Sequence, residues 1–390
     1  MRVLLVSPFQ PHPDTDHGGG VYLGLLIREL ARHAEVATVH YSHRGDPPAM
    51  TETRTFTTPR ARTSEVSSAT RWGQRLRFLW EWGVRGRPLE VAKIESTGFR
   101  QLLRRSVAEF RPDVIFVEFV VMAWCLDELE GSTTILTDHE RGASVPRHFG
   151  PGNIGAWRDR RLWKRYVRHF YPMADLCQTL TTEDATALRE ATGLPVEVRS
   201  PIIHIADTSL DPSTTDPVIL FFGDYAHHPN PESASALARD VLPLVRREIP
   251  DAELWLAGPR AGESVKKLGE LPGVRFLGFV DDLTDVLAKS RCLAAPVYSG
   301  FGVRIKSMLA MAHGLPIVAN RLGLQGMAPP AEAMAIGETP EELAAACVKF
   351  LADKDAASRA GAVARRYIID NLNGEKMALQ QLDRARSLIR

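Results

Sequence analysis

Arg304 and Lys306 stand two residues apart, just after Gly300 and Gly302, in the stretch Pro296-Val-Tyr-Ser-Gly-Phe-Gly-Val-Arg-Ile-Lys-Ser307. Residues of these types in this order can hold an anion. An apolar run ends at Pro296, the glycines make a flexible turn, and Ile305 to His313 has helical spacing. A helix N-terminus presents unbonded backbone N–H groups and the positive end of its dipole, which suits a phosphate. Cations there oppose the dipole, at about 0.3–1 kcal/mol each. A helix accepts that cost more readily when an anion sits between dipole and cations. A plain strand–turn–helix with two exposed basic residues is the competing reading, and this stretch alone does not decide between them.

Other residues with chemical potential are scattered. Leu136-Thr-Asp-His-Glu140 closes an apolar run, so Asp138, His139 and Glu140 fall at a strand end, where ligands bind in parallel sheets. Gly18, Gly19 and Gly20 read as a loop that lets backbone approach a ligand, with His17 beside them. His227 and His228 read as solvated loop residues, and Asp224 is given no role. Cys125, Cys177, Cys292 and Cys347 are far apart, without metal-ligand spacing, and read as isolated thiols of a reducing compartment. No acidic cluster suggests a metal.

The elements that must position these residues alternate. Val3–Val6, Val36–His40, Val114–Val117 and Thr134–Leu136 are short apolar runs, as in strands covered on both faces. Val21–His33 spaces Leu23, Leu26, Ile27 and Leu30 as one helix face. Residues 43–70 read as a surface excursion. A second series of strands follows at Val218–Phe222, Glu253–Ala257, Arg275–Leu277, Cys292–Ala295 and Ile317–Ala319, with helices between. The expected fold is α/β, with two doubly wound halves: a domain over 1–203, a linker over 204–217, a domain over 218–370 and a final helix over 371–390. A net charge of +1 gives no field that would favour nucleic acid. The apolar start is too short for a signal peptide, and no run reaches the roughly 20 residues of a membrane span. A cytoplasmic location is expected.

The stretch 296–318 resembles the Gly-x-Gly-Thr-Arg-Leu-Lys-x-Leu-Glu-Ala-Met-Ala-x-Gly-x-Pro-Val-Val signature of family-4 glycosyltransferases. Phe222-Gly-Asp-Tyr-Ala-His-His-Pro-Asn-Pro-Glu-Ser-Ala234 is similar to that family's entry into its second domain. Leu254-Trp-Leu-Ala-Gly258, Val274-Arg-Phe-Leu-Gly-Phe-Val-Asp-Asp282 and Leu322-Gly-Leu-Gln-Gly326 continue the pattern in order. The resemblance implies a GT-B fold, two Rossmann-like domains facing each other across a cleft, with the last helix crossing back to the first domain. It implies a retaining transferase that moves a sugar from a nucleoside diphosphate sugar to a hydroxyl acceptor, needing no metal and no cofactor. The acceptor would lie on the first domain, and the donor on the second.

By that resemblance Arg304 and Lys306 hold the diphosphate, with Gly223, Gly300, Phe301, Gly302 and Val303 around it. The Gly278-Phe279-Val280 turn meets the base. His139 and Asp138 are the catalytic candidates. The chain departs from the family at Leu309, where relatives commonly carry a Glu that binds the ribose, and at Phe301, where a first Glu often stands. Those departures keep a non-catalytic nucleotide-sugar-binding protein in play; the enzyme alternative is a sugar-nucleotide epimerase of the same fold, which would need paired carboxylates around the sugar that the second domain does not clearly offer. Two basic, aromatic stretches, 71–82 and 157–168, leave open an anionic acceptor or peripheral contact with a membrane surface. A solvated face is the preferred reading of the second, and the three tryptophans of the first are candidates for an acceptor pocket. The sequence says nothing of oligomeric state.

Overall fold

The computed structural model of the chain describes residues 1–389 except 16–17, 61–67, 143–153, 206–207 and 301–302, and omits the side chains of 68–72 and 74–75. Two compact units result: Met1–Pro201 together with Gly374–Arg390, and Ile202–Asn373.

The first unit is built on a seven-stranded parallel sheet. Its strands are β1 (Arg2–Ser7), β2 (Glu35–Ser42), β3 (Arg54–Pro59), β4 (Val114–Glu118), β5 (Thr134–Asp138), β6 (Leu176–Thr179) and β7 (Val196–Val198), in the order β3-β2-β1-β4-β5-β6-β7. The central strands are apolar throughout because helices cover both faces; Val3, Leu4, Leu5 and Val6 have no exposed surface. The helices are α1 (Gly18–Ala31), α2 (Ser68–Gly83), α3 (Leu89–Ile94), α4 (Thr97–Phe110), α5 (Ile154–Phe170) and α6 (Thr182–Thr192). Ser96 and Thr181 cap α4 and α6 by accepting from Phe99 N and Asp184 N, each satisfying one orphan donor.

The excursion expected over 43–70 holds β3, an edge strand that pairs with β2 from Ala37↔Arg54 to Ser42↔Pro59. Its Thr-rich, half-exposed sequence lacks the apolar run that marks a buried strand. The expected glycine loop is also corrected. Gly18, Gly19 and Gly20 form the first turn of α1. A Cβ at Gly19 would lie 2.8 Å from the Phe9 ring and 3.0 Å from the Phe119 ring, so this glycine admits two aromatic rings against the helix. His17 lies outside the described residues.

The second unit is a six-stranded parallel sheet of β8 (Val218–Phe222), β9 (Glu253–Ala257), β10 (Val274–Gly278), β11 (Cys292–Ala294), β12 (Ile317–Ala319) and β13 (Met334–Ile336), in the order β10-β9-β8-β11-β12-β13. Its helices are α7 (Pro229–Ala236), α8 (Leu242–Glu248), α9 (Glu263–Lys266), α10 (Leu283–Leu287), α11 (Ile305–Ala312), α12 (Pro340–Ala352) and α13 (Lys354–Asn371). One face packs Phe221, Leu254 and Leu256 beneath Val245, Cys347 and Phe350; the other packs Leu220 and Leu293 beneath Met308, Met311 and Ile368. Much of the stretch expected as a linker is built into this unit. Leu210 N donates to His313 O at 2.8 Å, and buried Arg291 donates to Thr215 Oγ1 at 2.9 Å. The chain then returns to the first unit as α14 (Gly374–Leu388), which packs on α1 and pairs Arg384 with Glu197 at 2.7 Å.

In each sheet the winding reverses beside the first strand, between β1 and β4 and between β8 and β11. The crevice outside the strand C-termini at such a reversal is the ligand site of doubly wound sheets.

Candidate functional site

In the second unit, two loops meet at that reversal, the one between β8 and α7 and the one between β11 and α11. Gly223 follows β8, Pro229 and Asn230 open α7, Val297 to Gly300 follow β11, and Arg304 to Lys306 lead into α11. Phe301 and Gly302 lie outside the described residues. Arg304 is the N-cap of α11, with non-helical φ −89° and ψ 72°, while Lys306 is in the first turn.

Lys306 is half-buried, and its ammonium lies inward, against the Phe221 ring. Nζ donates to Asn230 Oδ1 at 2.6 Å and lies 4.1 Å from the centroid of the Phe221 ring, a cation–π contact. Asn230 is fixed in turn, its Nδ2 donating to Asp224 O at 2.7 Å. A Cβ on Gly223 would lie 2.7 Å from that Nδ2 and 3.1 Å from Lys306 Nζ. Only glycine leaves the ammonium room.

Among the described residues no carboxylate pairs with Lys306. Burial first, and the neighbouring Arg304 second, push its pKa down to about 7. A cation held where its charged form is disfavoured can take an anion as its partner.

Arg304 is more constrained. Its Nε donates to Leu322 O at 3.0 Å, and Nη2 to Gln325 Oε1 at 3.2 Å and Gly300 O at 3.3 Å. It braces the loop after β12 to the glycine turn while presenting charge beside Lys306. Asn320 completes the brace. It accepts from Val297 N at 3.0 Å and Gly323 N at 2.9 Å, and donates to Val297 O at 2.7 Å. Neither Asn230 nor Asn320 was singled out by sequence reasoning, although Asn230 lies within the quoted Pro-Asn motif.

The remaining candidates spread around this centre. Gly278 ends β10 with φ +68°; its carbonyl accepts from Gly258 N at 2.6 Å. Beside it Phe279 is 68% exposed, while Val280 and Val303 flank the apolar core. Leu309 is one turn beyond Lys306 and half-buried, its side chain against the same core. Positions three apart share a helix face, so a carboxylate introduced there would come near the ammonium. Leu309→Glu is expected to lower stability by about 1–2 kcal/mol, within the usual range for one substitution, and to leave nucleoside diphosphate binding unchanged or tighter. Calorimetry and a melting curve check this; collapse of both would place Leu309 in the core proper.

Among the acidic residues of the region, Glu338 accepts from Arg321 N at 3.0 Å and Glu332 is exposed. His227 and His228 are exposed. Asp224 is ion-paired with Arg260.

In the first unit, the ends of β4 and β5 carry a second constellation. His139 Nε2 lies 2.8 Å from Glu118 Oε2, and the fully buried Arg199 grips the same carboxylate with Nη1 at 2.7 Å and Nη2 at 2.9 Å. Burial drives the Glu118 carboxyl upward, but Arg199 and His139 outweigh it and hold it at about 2. The imidazole stacks on Phe119, centroids 4.0 Å apart, with the Tyr22 ring edge-on at 5.6 Å. Phe119 adopts φ +73° and ψ 137°, a strained conformation for a side chain of this size and a recurrent feature of functional sites.

His139 is therefore clamped on three sides. Glu118, Phe119 and Arg199 escaped sequence reasoning, because Glu118 and Arg199 are 81 residues apart. Asp138, the other catalytic candidate, is bonded through both carboxylate oxygens. Its Oδ1 accepts from Glu140 N at 2.6 Å, and Oδ2 from Gly142 N and the Tyr171 hydroxyl. Burial raises its pKa, and the role these bonds define is a brace for the turn that follows β5. Among the described residues no group of three His, Cys, Asp or Glu could hold a metal ion.

Residues 216–353 match the family model of the Glycosyl transferases group 1. That span covers Lys306, Arg304 and their partners and all six strands of the second sheet. A phosphatidyl-myo-inositol mannosyltransferase of Propionibacterium freudenreichii is 30% identical over 170 residues, which is 42% of either chain. The chain thus aligns with less than half the length of this curated relative.

Among solved structures, the sucrose-phosphate synthase of Thermosynechococcus elongatus superposes with a TM-score of 0.72 at 19% identity, covering 99% of this chain and 98% of that one. HepE of Anabaena, in complex with UDP and glucose, gives 0.64 at 13% identity over 99% of each chain. The trehalose-6-phosphate structure from E. coli, bound with UDP-2-fluoro glucose, gives 0.66 at 12% over 99% of each. These likenesses extend over both units and establish the fold as GT-B.

Proposed function

We propose that the protein is a glycosyltransferase that moves a sugar from a nucleoside diphosphate sugar to a hydroxyl acceptor, with retention of configuration and without a metal. The observation that carries this reading is the enclosed ammonium of Lys306, beside Arg304 and Gly223 at the reversal point of the second sheet. Breaking the sugar–phosphate bond leaves a further negative charge on the departing diphosphate. Fixed cations and the N–H groups opening α11 stabilise that charge where it develops. The leaving phosphate oxygen can take the acceptor's proton, so no carboxylate nucleophile is required. The match to group 1 glycosyl transferases over this unit supports the reading, as does the mannosyltransferase relative.

The acceptor is assigned to the first unit, at the ends of β1, β4 and β5, where His139 presents a held imidazole among aromatic rings. The test is product formation from UDP-, GDP- and TDP-sugars against a panel of sugar and lipid alcohols, with the anomer read by NMR. An inverted product would overturn retention, and binding without turnover on any acceptor would favour a nucleotide-sugar-binding protein. Turnover is expected to survive EDTA undiminished. Activity abolished by EDTA and restored by magnesium or manganese would mean that a metal neutralises the leaving group.

A further inference from the structure

The outward face of α2 is apolar at helical spacing. Leu76, Leu79 and Trp80, with Val84 just past the helix end, recur at i, i+3, i+4 and i+8, each more than half exposed. A surface helix of a globular protein turns such a stripe toward the core; this one turns it to water. On the neighbouring helix α5, Trp157 and Ile154 are likewise exposed, at 60% and 83%. Of the thirteen exposed large apolar residues among those described, six belong to these two helices and the turn after α2. That is a patch, and not the single scattered residues that need no explanation.

The helices are locked side by side. Trp82 Nε1 donates to Asp159 Oδ1 at 2.9 Å, Arg158 donates to Trp82 O at 3.2 Å, and the Arg158 guanidinium lies 5.1 Å from the Trp82 ring centroid. Trp82 is thus an internal anchor, while Trp80 faces outward.

The exposed charge of α5 has one sign. Arg160, Arg161, Lys164, Arg165 and Arg168 of α5 are exposed. The one carboxylate of that helix, Asp159, is buried and accepts from Trp82 and from Leu89 N. Arg77 is exposed on α2, where Glu81 is paired with Arg85. Where the end of α2 meets α5, a hollow of about 210 Å³ is lined by Arg165 and His169, and by Arg85 and Arg87, which pair with Glu81 and Glu95, over Tyr166 and Phe170. An apolar stripe flanked by surplus cations matches the boundary of a bilayer, with hydrocarbon beneath anionic headgroups.

We propose that the α2–α5 face docks on a membrane surface containing anionic lipid, with Leu79 and Trp80 entering the acyl boundary and the α5 cations lying on lipid phosphates. The inference stands apart from glycosyl transfer and is tested without it. Full-length protein is sedimented with vesicles of phosphatidylcholine alone and of equal parts phosphatidylcholine and phosphatidylglycerol. Binding is expected to be about tenfold or more stronger to the anionic vesicles, and brominated acyl chains in them are expected to quench tryptophan fluorescence.

Leu79→Glu with Trp80→Glu is expected to abolish binding while leaving the melting curve and nucleoside diphosphate affinity unchanged. Leu79→Ser with Trp80→Ser covers the case in which the added charges disturb folding. Arg161→Glu with Lys164→Glu and Arg165→Glu is expected to remove the preference for anionic vesicles. No sedimentation with either vesicle, or binding indifferent to the α2 changes, overturns the proposal. So does a lipid-free dimer that the α2 changes dissolve, which would make a second copy the occupant of this face.

Discussion

Lys306→Met is expected to weaken nucleoside diphosphate binding and, at the same time, to stabilise the protein without its ligand. The two effects share one cause. The ammonium sits against Phe221 with Asn230 as its hydrogen-bond acceptor and Arg304 nearby, and its pKa is down at about 7. Methionine keeps the length of the side chain and removes the disfavoured charge. A charge-assisted hydrogen bond to a ligand contributes about 1.5–3 kcal/mol, so the dissociation constant should rise roughly ten- to 150-fold. The sign of the pH dependence is fixed as well. Above about pH 7 the folded, unliganded chain holds fewer protons at this site than the unfolded chain, so stability rises with pH toward the ordinary lysine range.

A bound diphosphate restores the ammonium. Binding should therefore take up a proton between about pH 7.5 and 9.5, and affinity should fall as pH rises through that window, by up to about tenfold per unit. Calorimetry in two buffers of different ionisation enthalpy reads the proton directly, and Lys306→Met should abolish it. No uptake by the parent protein would mean that Lys306 does not face the diphosphate. Arg304→Met should behave differently. It also loses the bonds to Leu322, Gly300 and Gln325, so binding and stability should fall together.

Glu118→Gln is expected to destabilise the first unit by about 3–5 kcal/mol, the cost of leaving one partner of a buried ion pair uncompensated. The Arg199 side chain has no exposed surface and is gripped through both terminal nitrogens. Intrinsic fluorescence suits the measurement, because Trp255 alone of the seven tryptophans lies in the second unit. The urea midpoint should fall, whereas Glu118→Leu combined with Arg199→Met should recover much of the loss by removing both charges.

The folded pKa of Glu118, about 2, lies below its ordinary 4.5. Its contribution is therefore present above about pH 4.5 and is lost as pH falls from there through 2, where the unfolded chain binds a proton that the folded one refuses. Glu118→Gln should flatten that part of the acid-denaturation profile. An unchanged midpoint and profile would refute the clamp.

What the sequence disclosed follows physical lines. Strands buried on both faces announce themselves as apolar runs, so β1, β4, β8 and β9 were legible. The edge strand β3, with Thr55, Thr57 and Thr58 half in water, was not, nor were the three-residue strands β7 and β13. Arg304 and Lys306 could be marked because chemistry and spacing coincide within one turn. Their supports could not, because Asn230 is 76 residues from Lys306 and meets it only through the fold. Gly19 shows the converse error: a glycine that suggested a ligand is required by the Phe9 and Phe119 rings. The apolar stripe of α2 was visible as composition, but periodicity cannot say whether a stripe faces core or solvent.

The helix α14 sets the order in which the chain can finish folding during synthesis. Its Met377, Ala378, Leu382 and Ala385 are buried, and it lies on α1, near the other end of the sequence. At about 5–20 residues per second, the ribosome makes the whole of Ile202–Asn373 before this helix emerges. Until then α1 lacks its cover, and nascent protein in that interval exposes an apolar surface that the finished molecule hides. A chain that stalls near residue 373 would therefore carry a completed second unit beside an unfinished first one, the kind of species that chaperones bind.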